Sequence, residues 1–392
     1  MRIKEVLARV ILNSRKEETI EVLIKTDSGI FSASSPSGKS KGKYENPAYK
    51  KSIEGDIANI KNLKFDFEIN EFKDLVKVEE VVKEIGANSL FALETAILKA
   101  LSLEQGKELW QIINEKARRI PSPVGNCIGG GLHTKSLNFL KPDFQEFLVI
   151  PKNDIVESVF LMNRAYELCR KRLKLRKALG ELNDENAWST SLGNEEVLDI
   201  LDKTREELEQ QGSRIEIGVD AAASTFYTGL LYNYKNPTKR LKGEEQKEYM
   251  KSLIENFRLG YVEDAFNQED FDSFAELRQG IIKERACLIV GDDLIASQLA
   301  RLKEALLKRA VNAIIVKPNQ NGSLIEIKKL VDLAKKYEII TVFSHRSGET
   351  LDYSLADFAF GFQADFVKFG IKGKEREIKL NRLIEISKSL GF

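Results

Sequence analysis

Apolar residues recur in two different rhythms along the second half of this chain. From residue 214 onward, short apolar runs alternate with longer segments whose apolar positions lie three and four residues apart. The first pattern is typical of buried strands and the second of amphipathic helices. The strand-like runs occupy residues 215–220, 260–263, 288–292, 313–317, 340–345 and 364–368, and the helical spacing is clearest in 298–310, 323–337 and 376–390. This alternation predicts a parallel sheet covered by helices.

The repeating units favour a closed β/α barrel. Successive runs end 23 to 43 residues apart, and one βα unit with its return occupies about 30 residues. The alternative is an open, doubly wound sheet. Such sheets usually carry a glycine-rich phosphate loop after the first strand, and the sequence contains no GxGxxG or Walker pattern.

A smaller α+β domain is predicted ahead of the barrel, over residues 1–119. Residues 19–33 predict two strands around an Asp-Ser-Gly turn, and the polar segment 34–43 predicts a loop. Helical spacing follows within 68–118. The Ile-Pro-Ser-Pro stretch at 120–123 interrupts that spacing. We therefore place the second domain at 120–392.

Composition narrows the possible functions. The 392 residues include 61 Lys and Arg and 60 Asp and Glu, a net charge of +1. This balance gives no reason to expect nucleic-acid or membrane partners. No apolar run approaches the roughly 20 residues of a membrane span, and a cleaved secretory signal is not expected. The widely spaced Cys127, Cys169 and Cys287 predict free thiols in a reducing cytoplasm.

Each strand-like run ends in a polar or charged residue, at the position where the catalytic groups of β/α barrels lie. In chain order they are Asp220, Glu263, Asp292, Lys317, His345 and Lys368. Three converging carboxylates suit Mg²⁺ or Mn²⁺, although a single strand-end carboxylate often only caps the next helix. A lysine near a cation can have its pKa lowered until it serves as a base. The alternative for each lysine is a solvated surface charge.

The heptapeptide SHRSGET at 344–350 predicts an anion-binding site. An arginine next to an imidazole and two hydroxyl groups can bind phosphate. The alternative is a helix N-terminus that is capped by Ser347, and helix N-termini also bind phosphate.

These motifs resemble the enolase family almost from end to end of the chain. The matching segments are PSGKSKGKYE (36–45), GGGLHT (129–134), FQEFLVIP (144–151), NDE (183–185), GVDAAASTFY (218–227), YVEDAF (261–266), VGDDL (290–294), VKPNQNGSL (316–324), SHRSGET (344–350) and VKFGIKGKERE (367–377). The resemblance implies an α/β protein with an enolase-type modified TIM barrel, an antiparallel start to that barrel and an N-terminal α+β capping domain.

The resemblance also implies a reaction, the reversible dehydration of 2-phosphoglycerate to phosphoenolpyruvate. It implies two Mg²⁺ ions per active site during turnover, with Mn²⁺ as a substitute, and a homodimer or higher homo-oligomer. The implied ligands of the tightly held ion are Asp220, Glu263 and Asp292.

Four residues match catalytic positions of that family. Lys317 matches the base that takes the C2 proton, and Glu185 matches the acid that assists loss of the C3 hydroxyl, with Glu146 beside it. His133 matches a loop histidine that closes over the substrate. The residues that match substrate-binding positions are Lys368, His345, Arg346, Ser347, Gln145 and Ser40. Ser40 is also implied in holding the second Mg²⁺.

Several loops depart from the family pattern. NDENA at 183–187 replaces Gly-Asp-Glu-Gly-Gly, and GGGLHT replaces Gly-Gly-Ser-His-Ala. Replacing a glycine that needs a positive φ costs on the order of 1 kcal/mol and can misplace Glu185. Two alternatives therefore stay open: a divergent enolase-like protein with another phosphorylated hydroxy acid as substrate or with weak activity, and a non-enzymatic scaffold.

Overall fold

A computed structural model of the chain describes residues 1–39, 42–134, 140–281 and 287–391. The strands are β1 (Glu5–Leu12), β2 (Glu18–Thr26), β3 (Gly29–Ser34), β4 (Ser122–Gly129), β5 (Glu146–Pro151), β6 (Leu179–Leu182), β7 (Trp188–Thr190), β8 (Ile215–Asp220), β9 (Tyr232–Lys235), β10 (Thr238–Leu241), β11 (Tyr261–Glu263), β12 (Leu288–Gly291), β13 (Ala313–Val316), β14 (Ile340–Ser344) and β15 (Phe366–Lys368). The α-helices are α1 (Ile53–Lys61), α2 (Leu75–Val81), α3 (Ala87–Glu104), α4 (Leu109–Asn114), α5 (Ile155–Leu175), α6 (Asn194–Gln210), α7 (Gly243–Phe257), α8 (Phe271–Gly280), α9 (Leu299–Lys308), α10 (Pro318–Asn321), α11 (Leu324–Lys336), α12 (Ser354–Gly361) and α13 (Lys374–Ser389).

The N-terminal part is an antiparallel three-stranded sheet packed against helices. Its order is β1-β2-β3, and the buried helix α3 packs against β2 and β3. The predicted strands on either side of Asp27-Ser28-Gly29 are present as β2 and β3. Strand β1 was not predicted. Its apolar residues do not mark one buried face, because Val6 and Ala8 are buried whereas Leu7 and Leu12 are exposed.

Among the described residues, eight strands close into a barrel. Their order is β4, β5, β8, β11, β12, β13, β14 and β15, and pairing of β15 with β4 completes the ring. Strand β5 runs antiparallel to both β4 and β8, whereas β11–β15 are parallel to their neighbours and β8 is parallel to β11. This confirms the predicted barrel with an antiparallel start and rules out the open sheet. The β6–β7 hairpin extends the sheet beyond β4.

Side chains fill the interior of the barrel, as in other β/α barrels. The buried interior cluster consists of Val124, Leu148, Ile150, Tyr261, Val290, Ala313, Ile315 and Val342. A larger apolar layer lies between the strands and the surrounding helices and continues into the N-terminal part. The barrel is therefore a packed core, and space for a ligand lies at its rim.

The connection between the two parts is short. Helix α4 ends at Asn114, and the first barrel strand begins at Ser122, inside the Ile-Pro-Ser-Pro stretch that we used as a boundary. The division at 119/120 stays a prediction. No helix in the described ranges combines the length and the apolar composition that a membrane span requires.

Candidate active site

Three carboxylates meet at one rim of the barrel because adjacent parallel strands end there. Asp220 is the last residue of β8, Glu263 is the last of β11, and Asp292 directly follows β12. The register pairs Glu263 with Asp220 across neighbouring strands. All three residues are buried. Like charges this close and this poorly hydrated repel one another unless a cation lies among them.

Two lysines supply positive charge to this cluster. The Lys368 Nζ lies 3.1 Å from Asp220 Oδ2 and 2.9 Å from each carboxylate oxygen of Glu263. Lys317 Nζ donates a hydrogen bond to Asp292 Oδ2. Lys368 therefore lies among the carboxylates. The two ammonium groups offset part of the negative charge of the three carboxylates.

The pKa of each lysine is raised in this arrangement of carboxylates. Burial alone would lower the pKa of Lys317, but the charge of Asp292 outweighs it. Burial also opposes the charge on Lys368, yet Asp220, Glu146 and Glu263 raise its pKa well above the usual range. Both lysines are therefore ammonium ions while the carboxylates keep them as partners.

Glu146 reaches the same rim from the opposite direction of the chain. It is the first residue of β5, and because β5 is antiparallel, its start lies where the neighbouring strands end. The register places Glu146 opposite Asp220 on one side and Gly129 on the other. Its Oε2 lies 3.1 Å from Lys368 Nζ. Burial, followed by the charge of Glu185, raises the pKa of Glu146 to about 8.

Glu185 lies between the two histidines of the chain. Its Oε1 is 3.4 Å from His133 Nδ1 and 3.8 Å from His345 Nε2. Burial opposes ionisation of Glu185, but the charges of His133 and then His345 hold its pKa well below the usual range. Burial would lower the pKa of His133, whereas Glu185 raises it. For His345 burial prevails, and its pKa is lowered well below the usual value.

The surroundings of these two glutamates shift their pKa values in opposite directions: that of Glu146 is raised to about 8, and that of Glu185 is held well below its usual range. His133 Nδ1 lies between them, 3.7 Å from Glu146 Oε1 and 3.4 Å from Glu185 Oε1. Neighbouring carboxyls whose environments push their pKa values apart are a common feature of acid–base sites.

A cluster of cationic and hydroxyl groups borders the acidic rim. Arg346 Nη2 donates to both carboxylate oxygens of Glu45, each at 3.0 Å. Ser347 Oγ accepts hydrogen bonds from Arg15 Nη1 at 3.2 Å and from the Lys39 backbone N–H at 3.0 Å. The alternative of a helix capped by Ser347 is wrong, because α12 begins only at Ser354.

These groups surround one cavity between the barrel rim and the N-terminal segment. The predicted residues that line it are His133, Gln145, Glu146, Glu185, Asp220, Asp292, Lys317, His345, Arg346, Ser347 and Lys368. Gln145 Nε2 donates to Asp220 Oδ2 at 3.3 Å. Glu263 is fully buried and does not line the cavity. Ser40 lies outside the described residues.

Several residues of this cavity were given no role from the sequence. Lys39 belongs to the polar segment 34–43 and Glu45 follows it, whereas Asp264 and Asp293 lie beside the predicted ligands. Asp264 accepts backbone hydrogen bonds from Asp292 at 3.0 Å and Asp293 at 2.8 Å, so it orders the turn after β12. The second aspartate of the GDDL motif was a visible signal for Asp293.

The donor chemistry at Asp220, Glu263 and Asp292 fits a divalent cation. All of their donor atoms are carboxylate oxygens, which Mg²⁺ and Mn²⁺ prefer. Asp292 Oδ1 is buried and has no hydrogen-bond partner among the described residues. Burial and the charge of Asp220 raise the pKa of Glu263 well above its usual range. A cation would relieve both features.

The cavity contains a second group of possible metal ligands. The ligand atoms of His133, Glu146 and Glu185 lie within 4.8 Å of one another. Its imidazole makes this group less suited to Mg²⁺ than the all-carboxylate set. We therefore keep Asp220, Glu263 and Asp292 as the candidate ligands.

Comparison with known proteins agrees with this geometry. Residues 117–392 match the family described as "Enolase, C-terminal TIM barrel domain". The chain belongs to the enolase family. Enolase of Pyrobaculum aerophilum is 35% identical over an alignment of 421 residues that covers 100% of this chain and 97% of that protein. Enolase of Archaeoglobus fulgidus is 34% identical, with 98% and 97% covered, and enolase of Methanothermobacter thermautotrophicus is 34% identical, with 100% and 97% covered.

Proposed function

We propose that this enolase-family protein catalyses the Mg²⁺-dependent, reversible dehydration of 2-phosphoglycerate to phosphoenolpyruvate. One observation carries the proposal most directly: a single cavity brings together two lysines, a carboxylate cluster, a pair of glutamates whose pKa values are shifted in opposite directions and an arginine–serine anion site. Each of these parts corresponds to one requirement of the reaction.

Lys317 is the proposed base for the C2 proton. Its Nζ lies in the cavity and is held by Asp292. When bound by Asp220, Glu263 and Asp292, Mg²⁺ would supply positive charge that stabilises the negative charge developing on the substrate carboxylate. Asp292 would then share its charge with the ion, so it would raise the pKa of Lys317 less. Mn²⁺ has the same ligand preference, and a second Mg²⁺ during turnover remains part of the proposal.

Glu185, with Glu146 and His133, is the proposed proton donor for the departing C3 hydroxyl. Burial raises the pKa of Glu146 to about 8 and the charge of Glu185 raises the pKa of His133, whereas the pKa of Glu185 is held well below its usual range. The substrate is an anion, and negative charge beside a carboxylate raises its pKa. Substrate binding would therefore favour transfer of a proton to Glu185, from which it can reach the C3 oxygen as the C3–O bond breaks and water leaves.

Arg346 and Ser347, with Arg15 and the Lys39 backbone N–H near the Ser347 hydroxyl, form the proposed phosphate site. Lys368 and His345 lie beside the proposed proton donors: Lys368 contacts Glu146, and His345 contacts Glu185. We further propose a cytoplasmic location, because the three cysteines are buried free thiols, and a homodimer or higher homo-oligomer, as expected for this family.

The direct test follows formation of phosphoenolpyruvate by its absorbance after 2-phosphoglycerate is added to the purified protein. We expect fast product formation with Mg²⁺ and none with excess EDTA. Lys317→Ala should abolish turnover without unfolding the protein. The matched control is Lys308→Ala, which removes a surface lysine paired with Asp272 and should leave the rate unchanged. A near-normal rate in Lys317→Ala would refute the assigned base.

The second candidate function is dehydration of a different phosphorylated hydroxy acid. It is favoured by the altered turn at 183–187, which carries Glu185. A panel of phosphorylated hydroxy acids distinguishes the two functions: turnover of another member with little turnover of 2-phosphoglycerate would replace the first proposal.

A further inference from the structure

The turn that carries Glu185 is organised by the side chain of Asn183. Asn183 Oδ1 accepts the backbone N–H of Glu185 and that of Ala187, each at 2.9 Å. The Asn183 backbone N–H donates to the Ala187 carbonyl oxygen at 2.9 Å. One amide side chain therefore holds the main chain of the turn both at Glu185 and two residues beyond it.

A second amide ties this turn to the segment after β15. Asn186 has a φ of 61°, in the left-handed region that asparagine tolerates better than most residues with a side chain. Its Nδ2 donates to the Lys372 carbonyl oxygen at 3.2 Å, and its own carbonyl accepts the Tyr166 hydroxyl at 2.8 Å. A Cβ at Gly373 would lie 2.3 Å from Asn186 Nδ2, so the Asn186 amide depends on the glycine beside it.

The turn also packs against β4. A Cβ at Gly129 would lie 2.0 Å from Asn183 Nδ2, so the Asn183 amide packs directly on the backbone of that strand. The polar contacts of the Glu185 carboxylate itself are long: 3.4 Å to Asn126, 3.4 Å to His133 and 3.8 Å to His345. Contacts of this length orient a side chain weakly, so the backbone must set the position of Glu185.

We propose that Asn183 and Asn186 are positioning residues whose amide groups fix the turn that carries Glu185, and so set the position of its carboxyl group relative to the substrate. This inference rests on the proposed function. It also gives a physical reason why side chains can stand where the family has glycines: each asparagine forms hydrogen bonds that a glycine could not form.

The two chemical steps allow a specific test. Removal of the C2 proton by Lys317 does not need Glu185, whereas loss of the C3 hydroxyl does. In D₂O, exchange of the C2 hydrogen of 2-phosphoglycerate, followed by NMR, reports the first step, and formation of phosphoenolpyruvate reports both. A displaced Glu185 should therefore slow dehydration while leaving exchange nearly intact.

Asn183→Ala removes the acceptor of both backbone hydrogen bonds. We expect dehydration to fall about 10- to 100-fold, since a displacement of about 1 Å can cost about 100-fold, with exchange and KM within about threefold of wild type. Asn183→Asp keeps an oxygen acceptor and should restore most of the dehydration rate. Asn186→Gly keeps the backbone conformation but loses the contact with Lys372, and should show a smaller selective loss even if Asn183→Ala does not fold.

Asn312→Ala is the matched control. Asn312 Oδ1 accepts the Ile289 N–H at 2.7 Å and its Nδ2 donates to the Cys287 carbonyl at 3.0 Å, near the start of β13 and away from the active rim. This variant should lose stability but keep both rates. Equal losses of exchange and dehydration in the Asn183 and Asn186 variants, or dehydration at the wild-type rate, would overturn the positioning role. A wild-type protein that performs neither step would instead overturn the proposed function, and this inference with it.

Discussion

Replacing Lys368 by methionine tests the charge balance of the carboxylate cluster. The ammonium group of Lys368 lies within 3.1 Å of Asp220, Glu146 and Glu263, and the lysine is 3% exposed. Methionine has a similar length and no charge, so Lys368→Met leaves buried carboxylates without that cation. Removing one partner of a buried ion pair costs about 3–5 kcal/mol.

The expected change in thermal stability follows from the size of the chain. Unfolding entropy of about 2.1 cal/mol/K per residue gives about 0.8 kcal/mol/K for 392 residues. A loss of about 3–5 kcal/mol then lowers Tm by about 4–6 °C in EDTA at neutral pH. Excess Mg²⁺ should reduce the difference between variant and wild type, because a cation at Asp220 and Glu263 replaces the missing charge.

Differential scanning calorimetry with and without Mg²⁺ measures both effects. Lys308→Met is the control, since an exposed ion pair contributes about 0–1 kcal/mol. If Lys368→Met is as stable as wild type in EDTA, or if Mg²⁺ does not narrow the difference, Lys368 is not what neutralises these carboxylates.

Two further predictions concern other parts of the molecule. Burial and then Glu79 raise the pKa of Glu94, whose Oε2 accepts the Leu324 N–H at 2.7 Å. A carboxyl group whose pKa is raised in the folded state makes the wild type lose stability as pH rises above the pKa of the unfolded chain. In urea unfolding, Glu94→Gln should therefore gain stability relative to wild type as pH rises from about 5 to about 8. Parallel pH profiles of the two proteins would contradict this. Arg346→Lys loses the contact with both carboxylate oxygens of Glu45. In steady-state kinetics this variant should raise KM for 2-phosphoglycerate about tenfold or more. An unchanged KM would show that Arg346 is not part of the phosphate site.

The regular part of the barrel could be predicted from the sequence because its signals are local. A buried parallel strand is a short apolar run, and a charged residue at its end marks the rim. Strand β8 has the predicted bounds, and β15 ends at Lys368 as predicted. Strand β1 could not be found this way, because its exposed Leu7 and Leu12 hide the buried face that Val6 and Ala8 form.

Contacts between distant segments could not be predicted from local patterns. The pair formed by Glu45 and Arg346 joins residues 301 positions apart, and no spacing rule connects them. The hydrogen bond from the Lys39 backbone to Ser347 is of the same kind. Such contacts depend on how the N-terminal segment lies over the barrel rim, which only the fold determines.

Strand direction explains why Glu146 escapes the rule that barrel sites lie at the C-terminal ends of strands. In a parallel barrel all strands end at the same rim, and the rule refers to that rim. Because β5 is antiparallel to its neighbours, its first residue, Glu146, lies at that rim, opposite Asp220 of β8 and Gly129 of β4. Residues 146–151 are buried on both faces, so their composition carries no sign of direction. Only the resemblance placed Glu146 in the site, and the antiparallel register supplies the physical reason.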